Sequence, residues 1–244
     1  MRRCVSRAAL VLLALTAAAA AHAQTVDEII AKNLQAKGGA EKWKSVNSVK
    51  MAGKITMQGM DLPLTVYAKR PNYNRQEIVL QDKQLVQAFD GTTAWLINPM
   101  MGSDVPQELP GPAADMMKNS ADFDGALIDY KSKGHTIELV GKEKLDGTEV
   151  YHLKVTMKGG SHIQHYYLDA KSGIELKTSA DVDMGTGQKQ ALETEMSNYQ
   201  QVNGIMIPHT VKQSVNGKPV VQMTIDKVEF NAAIDDSMFR MPKK

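Results

Sequence analysis

ALETEMSNYQQVNGIMIPHTVKQSVNGKPVVQMTIDKVEF, residues 191–230, decides the fold. Three strand-like runs, 191–202, 205–215 and 219–230, are separated by Asn203-Gly204 and Asn216-Gly217. Such dipeptides supply the positive φ angles that a tight hairpin needs, so each run pairs with the next rather than crossing over. Working backwards, runs 135–143, 148–158, 161–169 and 173–183 are divided by Asp146-Gly147, Gly159-Gly160 and Lys171-Ser172-Gly173, and a loop with Gly185 and Gly187 precedes residue 191. A meander from Gly134 to Phe230 with no helix inside it argues against a parallel α/β fold. It predicts an antiparallel barrel, open or closed.

The first half adds to the same sheet. Val49, Met51, Ile55 and Met57 share one parity and Leu62, Leu64, Val66 and Ala68 another, the mark of half-buried strands. Further candidates at 73–81, 84–90 and 93–98 bring the total to about 11 or 12 strands. Ahead of them, Thr25-Val26-Asp27-Glu28 reads as a capping box. Val26, Ile29, Ile30 and Leu34 follow on one helical face, Gly38-Gly39 ends the helix, and a short helical turn spans 40–44. Between the two strand sets, residues 99–134 lose the strand period and carry Pro106, Pro110 and Pro112. Pro112 suits a first helical position, and Ser120 is placed to cap a second short helix through Ile128 and Tyr130. Such an insertion serves as a lid or binding loop, or as structural cover for one barrel end.

Arg2, Arg3 and Arg7 precede an apolar run, and Ala21-His22-Ala23 offers a cleavage site, so residues 1–23 read as a cleavable secretory signal. Residues 24–244 form the mature chain, read as one domain with 99–134 as a lid-like insertion. Cys4 is the one cysteine and departs with the signal, leaving no disulfide and no thiolate metal site. Of 29 basic residues, three belong to the signal, so 26 face 27 acidic ones in the mature chain. A near-neutral protein has no electrostatic footprint for nucleic acid.

Motifs for chemistry are sparse. His162 and His165 are three apart in a strand, point to opposite faces and do not chelate as a helical pair does. Asp181 and Asp183 share a face near Gly185, but further calcium ligands at fixed spacing are missing. No Gly-x-Ser-x-Gly elbow, His-Glu-x-x-His helix or phosphate-cradling glycine loop occurs, so the sequence predicts no enzyme, catalytic residue, metal or cofactor. Methionine is abundant at 15 residues while aromatic residues make up 5%, and flexible thioethers suit surfaces that accept apolar ligands of varied shape.

Short pieces in fixed order carry a family resemblance. They are Asp27 to Lys32 with Gly38-Gly39 and Lys42; Ala121-Asp122-Phe123-Asp124-Gly125; Glu138 to Gly141; Asp146 to Tyr151; and Tyr166 to Asp169. Tyr199, Asn203-Gly204-Ile205, Ile207-Pro208-His209, and Ile234 to Phe239 with Pro242 complete the set. The chain resembles the periplasmic outer-membrane lipoprotein-sorting protein family, which includes the carriers and receptors of the lipoprotein localisation system. The resemblance implies an incomplete, strongly curved antiparallel β-barrel, covered by an N-terminal amphipathic helix and a helical lid, with an apolar cavity between. It departs from the better-known carriers in its greater length and its proline- and methionine-rich insertion.

The function so implied is a soluble periplasmic carrier that sequesters acyl chains of lipoproteins or lipids. Its further partners would be an inner-membrane release complex and an outer-membrane receptor. Parity and position put Met57, Leu64, Val66, Trp95, Met116 and Met117 in the cavity, with Met100 and Met101 at the lid edge. The alternative is an envelope stress or interaction sensor on the same fold, binding a lipid or a protein partner. A lipid hydrolase is disfavoured by the missing nucleophile motif.

Overall fold

The computed structural model describes residues 24–99, 102–160, 162–183 and 187–243. The signal read at 1–23 and the lid-edge residues Met100 and Met101 lie outside them. Helix α1, Val26–Ala36, begins as its sequence dictates. Thr25 Oγ1 accepts from the Glu28 N–H at 3.2 Å while Glu28 Oε2 accepts from the Thr25 N–H at 2.8 Å, so two orphan donors are satisfied reciprocally. It ends in a Schellman motif: the Gly39 N–H reaches the Leu34 carbonyl at 2.8 Å and the Gly38 N–H the Gln35 carbonyl at 3.0 Å. Gly38 is needed twice over, since its φ is 110° and a Cβ there would lie 2.3 Å from the Gly204 carbonyl oxygen. Helix α2, Ala40–Lys44, follows at once.

Strands β1 (Ser48–Met57), β2 (Met60–Lys69), β3 (Tyr73–Leu80), β4 (Lys83–Asp90), β5 (Ala94–Asn98) and β6 (Ser103–Glu108) form a first run. Helix α3, Gly111–Ser120, and a series of turns lead to the second. That run is β7 (Thr136–Leu145), β8 (Thr148–Thr156), β9 (Ile163–Asp169), β10 (Glu175–Asp183), β11 (Lys189–Val202), β12 (Ile205–Val215) and β13 (Lys218–Phe230). Asp146, Asn203 and Asn216 take the positive φ values expected of their hairpin turns, 47°, 49° and 50°.

Among the described residues these thirteen strands make one antiparallel sheet that does not close, in the order β6-β5-β4-β3-β2-β1-β13-β12-β11-β10-β9-β8-β7. The order explains the insertion. The first and last strands pair in the middle, so β6 and β7, consecutive in sequence, become opposite edges. The chain joining them must cross from one edge to the other, and α3 does so, touching β4 and β5 on one arm and β10 on the other.

Two sequence expectations for the insertion are corrected. Residues 103–108 form β6, a strand carrying Pro106, which is tolerated because an edge strand leaves one row of N–H groups unpaired. Ser120 does not cap a second helix. It is the last residue of α3, its Oγ donates to the Met116 carbonyl at 2.9 Å, and the chain through Ile128 and Tyr130 runs in turns.

Parity divides the sheet into two faces. On the inner face Val49, Ile55, Leu64, Val66 and Ile78 adjoin across β1, β2 and β3. On β8 and β9, Leu153, Val155, Tyr166 and Leu168 take Ile29 and Ile30 of α1 against them. The outer face is bare over most of its area, with one covered region. Val86, Ala88 and Trp95 are buried there beneath the C-terminal segment, whose 3-10 turn Asp236–Phe239 stacks Phe239 on Tyr73 at 5.2 Å.

Candidate functional site

The two arms of the sheet and α3 enclose a chain of adjoining cavities on the inner face. The largest, about 750 Å³, is lined on its apolar side by Met57, Met116, Met117, Leu192, Val215 and Val221. A second, about 350 Å³, lies beside α2 between Trp43, Met51, Val66, Phe123, Met223 and Ile225. Both share Asn74, Gln76 and Ser120, so they meet along β3. A third, about 270 Å³, continues from Met116, Ser120 and Leu192 towards β10, where His162, Asp181, Asp183 and Lys189 line it. Burial and then the nearby Lys189 hold His162 below the ordinary imidazole value.

The structure brings some of the expected residues together and separates others. Met57, Met116 and Met117 line the largest cavity and Val66 the second. Leu64 shares their face but is 2% exposed and packed with Ile55 and Ile78, forming floor instead of wall. Trp95 is a correction. The β4–β5 turn pairs Phe89 with Ala94 and Ala88 with Trp95, which turns the indole to the outer face. There it is fully buried and its Nε1 donates to the Phe239 carbonyl at 2.7 Å.

One ion pair ties the roof to the sheet. Arg70, just beyond β2, holds Asp124 by two 2.6 Å bonds, donates from Nε to the Val46 carbonyl at 2.7 Å, and lies 4.6 Å above the Phe123 ring. The planar guanidinium fork suits this bidentate contact. Burial pushes the Asp124 carboxyl up, but the Arg70 hydrogen bonds and charge outweigh it and leave the group below the usual carboxylate range.

Two polar features escaped the sequence reading. Asn74, Gln76, Gln87 and Gln213 line the largest cavity, and none makes a side-chain hydrogen bond to another described residue. They have the inward parity of Ile78 and Val211, a signal visible once β3, β4 and β12 are extended through their polar positions. The second is on the outer face. His152 Nε2 and His165 Nδ1 stand 2.7 Å apart, with Glu143 3.4 Å from His152 Nδ1 and the Tyr167 ring stacked on His152 at 4.6 Å. Burial pulls His152 below its ordinary value, Glu143 opposes this, and His165 adds to the lowering. His165 finds its histidine neighbour on the next strand, because β8 and β9 pair Lys154 with His165 and set His152 diagonally beside it.

No family model and no curated protein matches the chain. Solved structures do match in fold. A LolA superfamily protein from Nitrosomonas europaea superposes with a TM-score of 0.56 at 14% identity, over 86% of this chain and 96% of its own. A DUF1329 family protein from Desulfovibrio piger gives 0.61 at 12% identity, over 89% and 98%. An outer membrane lipoprotein-sorting protein domain from Vibrio parahaemolyticus gives 0.56 at 12%, over 87% and 94%. These likenesses agree with the resemblance read from the sequence at the level of fold, an open antiparallel sheet covered by short helices.

Proposed function

We propose that this chain is a periplasmic carrier that sequesters acyl chains, of lipoproteins or of lipids, on the inner face of its sheet. The carrying observation is the run of cavities under α3, walled by methionine, valine, tryptophan and phenylalanine side chains. The fold likeness to a lipoprotein-sorting domain supports it, as does the absence, among the described residues, of any helix long and apolar enough to cross a membrane. Sheltering about 14 methylenes at roughly 0.8 kcal/mol each offsets about 10 kcal/mol of aqueous exposure. Capture is reversible and non-covalent, with α3 and the segment after it as the lid. Release complexes at the inner membrane and receptors at the outer membrane are the exchange partners this role requires.

Native mass spectrometry of the chain purified from the periplasm tests the reading. Lipid-sized adducts, removed by delipidation and restored by adding lipid, are expected. A preparation that takes up no lipid at any concentration below its critical micelle concentration contradicts it.

A further inference from the structure

The cavity that should hold an apolar tail is not uniformly apolar. Gln76 on β3 and Gln87 on β4 are direct cross-strand partners, and Asn74 lies two residues along the same face. Gln213 projects from β12 into the same space. These carboxamides have no partner among the described residues. A carboxamide offers two donors and one acceptor; these four side chains are half-buried and open to water, so an apolar tail filling the cavity would strip their hydration, whereas a ligand polar group would replace it. Asn74 and Gln76 also line the smaller, more apolar cavity beside Trp43 and Phe123, so the amides stand at the junction of the two.

Charge narrows the ligand. Among the described residues no lysine or arginine lines either cavity, and the one ionisable liner, Asp122, already receives Lys133 at 2.7 Å. A carboxylate brought here would lose its hydration without gaining a cation. A neutral carbonyl would lose little and gain amide N–H donors.

Resting on the carrier reading, we infer that Asn74, Gln76, Gln87 and Gln213 form a recognition subsite for the neutral ester or amide linkage of an acylated molecule. The acyl chain lies in the apolar cavities on either side, and the subsite discriminates against free fatty acids. Glycerolipids and lipid-modified peptides both present that linkage.

The test compares the delipidated chain with its Gln76→Leu/Gln87→Leu variant, which keeps side-chain bulk. Both are titrated at pH 8 with monopalmitoylglycerol, a palmitoylated lipopeptide, palmitate, and diphenylhexatriene as an apolar probe without polar groups. The original chain should bind at least one of the two neutral linkages about tenfold tighter than palmitate, and the variant should lose that preference while keeping diphenylhexatriene. Whichever neutral ligand binds tighter assigns the source. Palmitate bound as tightly as both neutral ligands, or a preference that survives the substitutions, overturns the subsite but leaves the carrier. Failure of the original chain to bind any of the four, diphenylhexatriene included, overturns the carrier reading itself. A single Gln76→Met variant, expected to lose part of the preference, serves if the double variant unfolds.

Discussion

One face of one sheet is covered in two different ways. Over β7 to β10, α1 fills the space: Ile29 is 1% and Ile30 5% exposed, and Leu153 and Leu168 beneath them are fully buried. Its last turns are fixed as well, with Lys32 Nζ donating to the Ala170 carbonyl at 2.7 Å and Asn33 Nδ2 to the Gly173 carbonyl at 2.9 Å. Over the other arm, α3 buries none of its residues and has no side-chain N-cap and no acid in its first turn; Ala114 and Met117 rest on the Phe89 and Ala94 cluster, while Met116 roofs the cavities. The difference separates two tasks. The capped helix completes a core, while the uncapped helix leaves room beneath it and little to hold it down.

That contrast can be broken or sharpened by substitution. The largest effect is expected in the filled arm, where Leu153→Ala should cost about 2–5 kcal/mol in urea unfolding and leave acyl affinity per folded molecule unchanged. A loss of affinity without loss of stability would erase the division of labour. Next comes Arg70→Lys, which removes the fork holding Asp124 and should lower stability by about 1–3 kcal/mol. The Asp124 carboxyl lies below its unfolded value, so the stability it contributes is present above about pH 4 and is lost as pH falls through the folded value. The variant's deficit should therefore shrink on acidification below pH 4, as followed by urea midpoints.

Smaller again is Met116→Ala on α3, with a stability change within about 1 kcal/mol but several-fold weaker acyl binding by dye displacement. The smallest concerns Glu175, which lies under the end of α1. Burial raises its carboxyl, and Lys37, 3.8 Å away, only partly offsets this. A raised carboxyl contributes most below its unfolded value and loses that contribution as pH rises through the folded value. Glu175→Gln should thus raise the urea midpoint slightly at pH 7 and leave it nearly unchanged at pH 4.

Local signals carried most of the architecture. The Asn-Gly turns, the capping box and the period-two runs each describe a few neighbouring residues, and each appears where the sequence puts it. What sequence left hidden depends on register. Trp95 faces outward because of how many residues the β4–β5 turn consumes, and a shift by one position moves a whole strand to the other face. The His152 and His165 contact and the facing amides of Gln76 and Gln87 are likewise products of pairing between strands. The insertion was misread in detail because its strand is an edge with a proline, and its role as a bridge follows from β1 meeting β13.

The two tryptophans give the most direct test, since Trp43 lines the smaller inner cavity and Trp95 is buried on the opposite face. Chains retaining one each, made by Trp95→Phe or Trp43→Phe, are titrated with a monoacylglycerol brominated in mid-chain while indole fluorescence is followed. Sequestration on the inner face predicts quenching of Trp43 and none of Trp95. Equal quenching of both, or an unquenched Trp43, would contradict it.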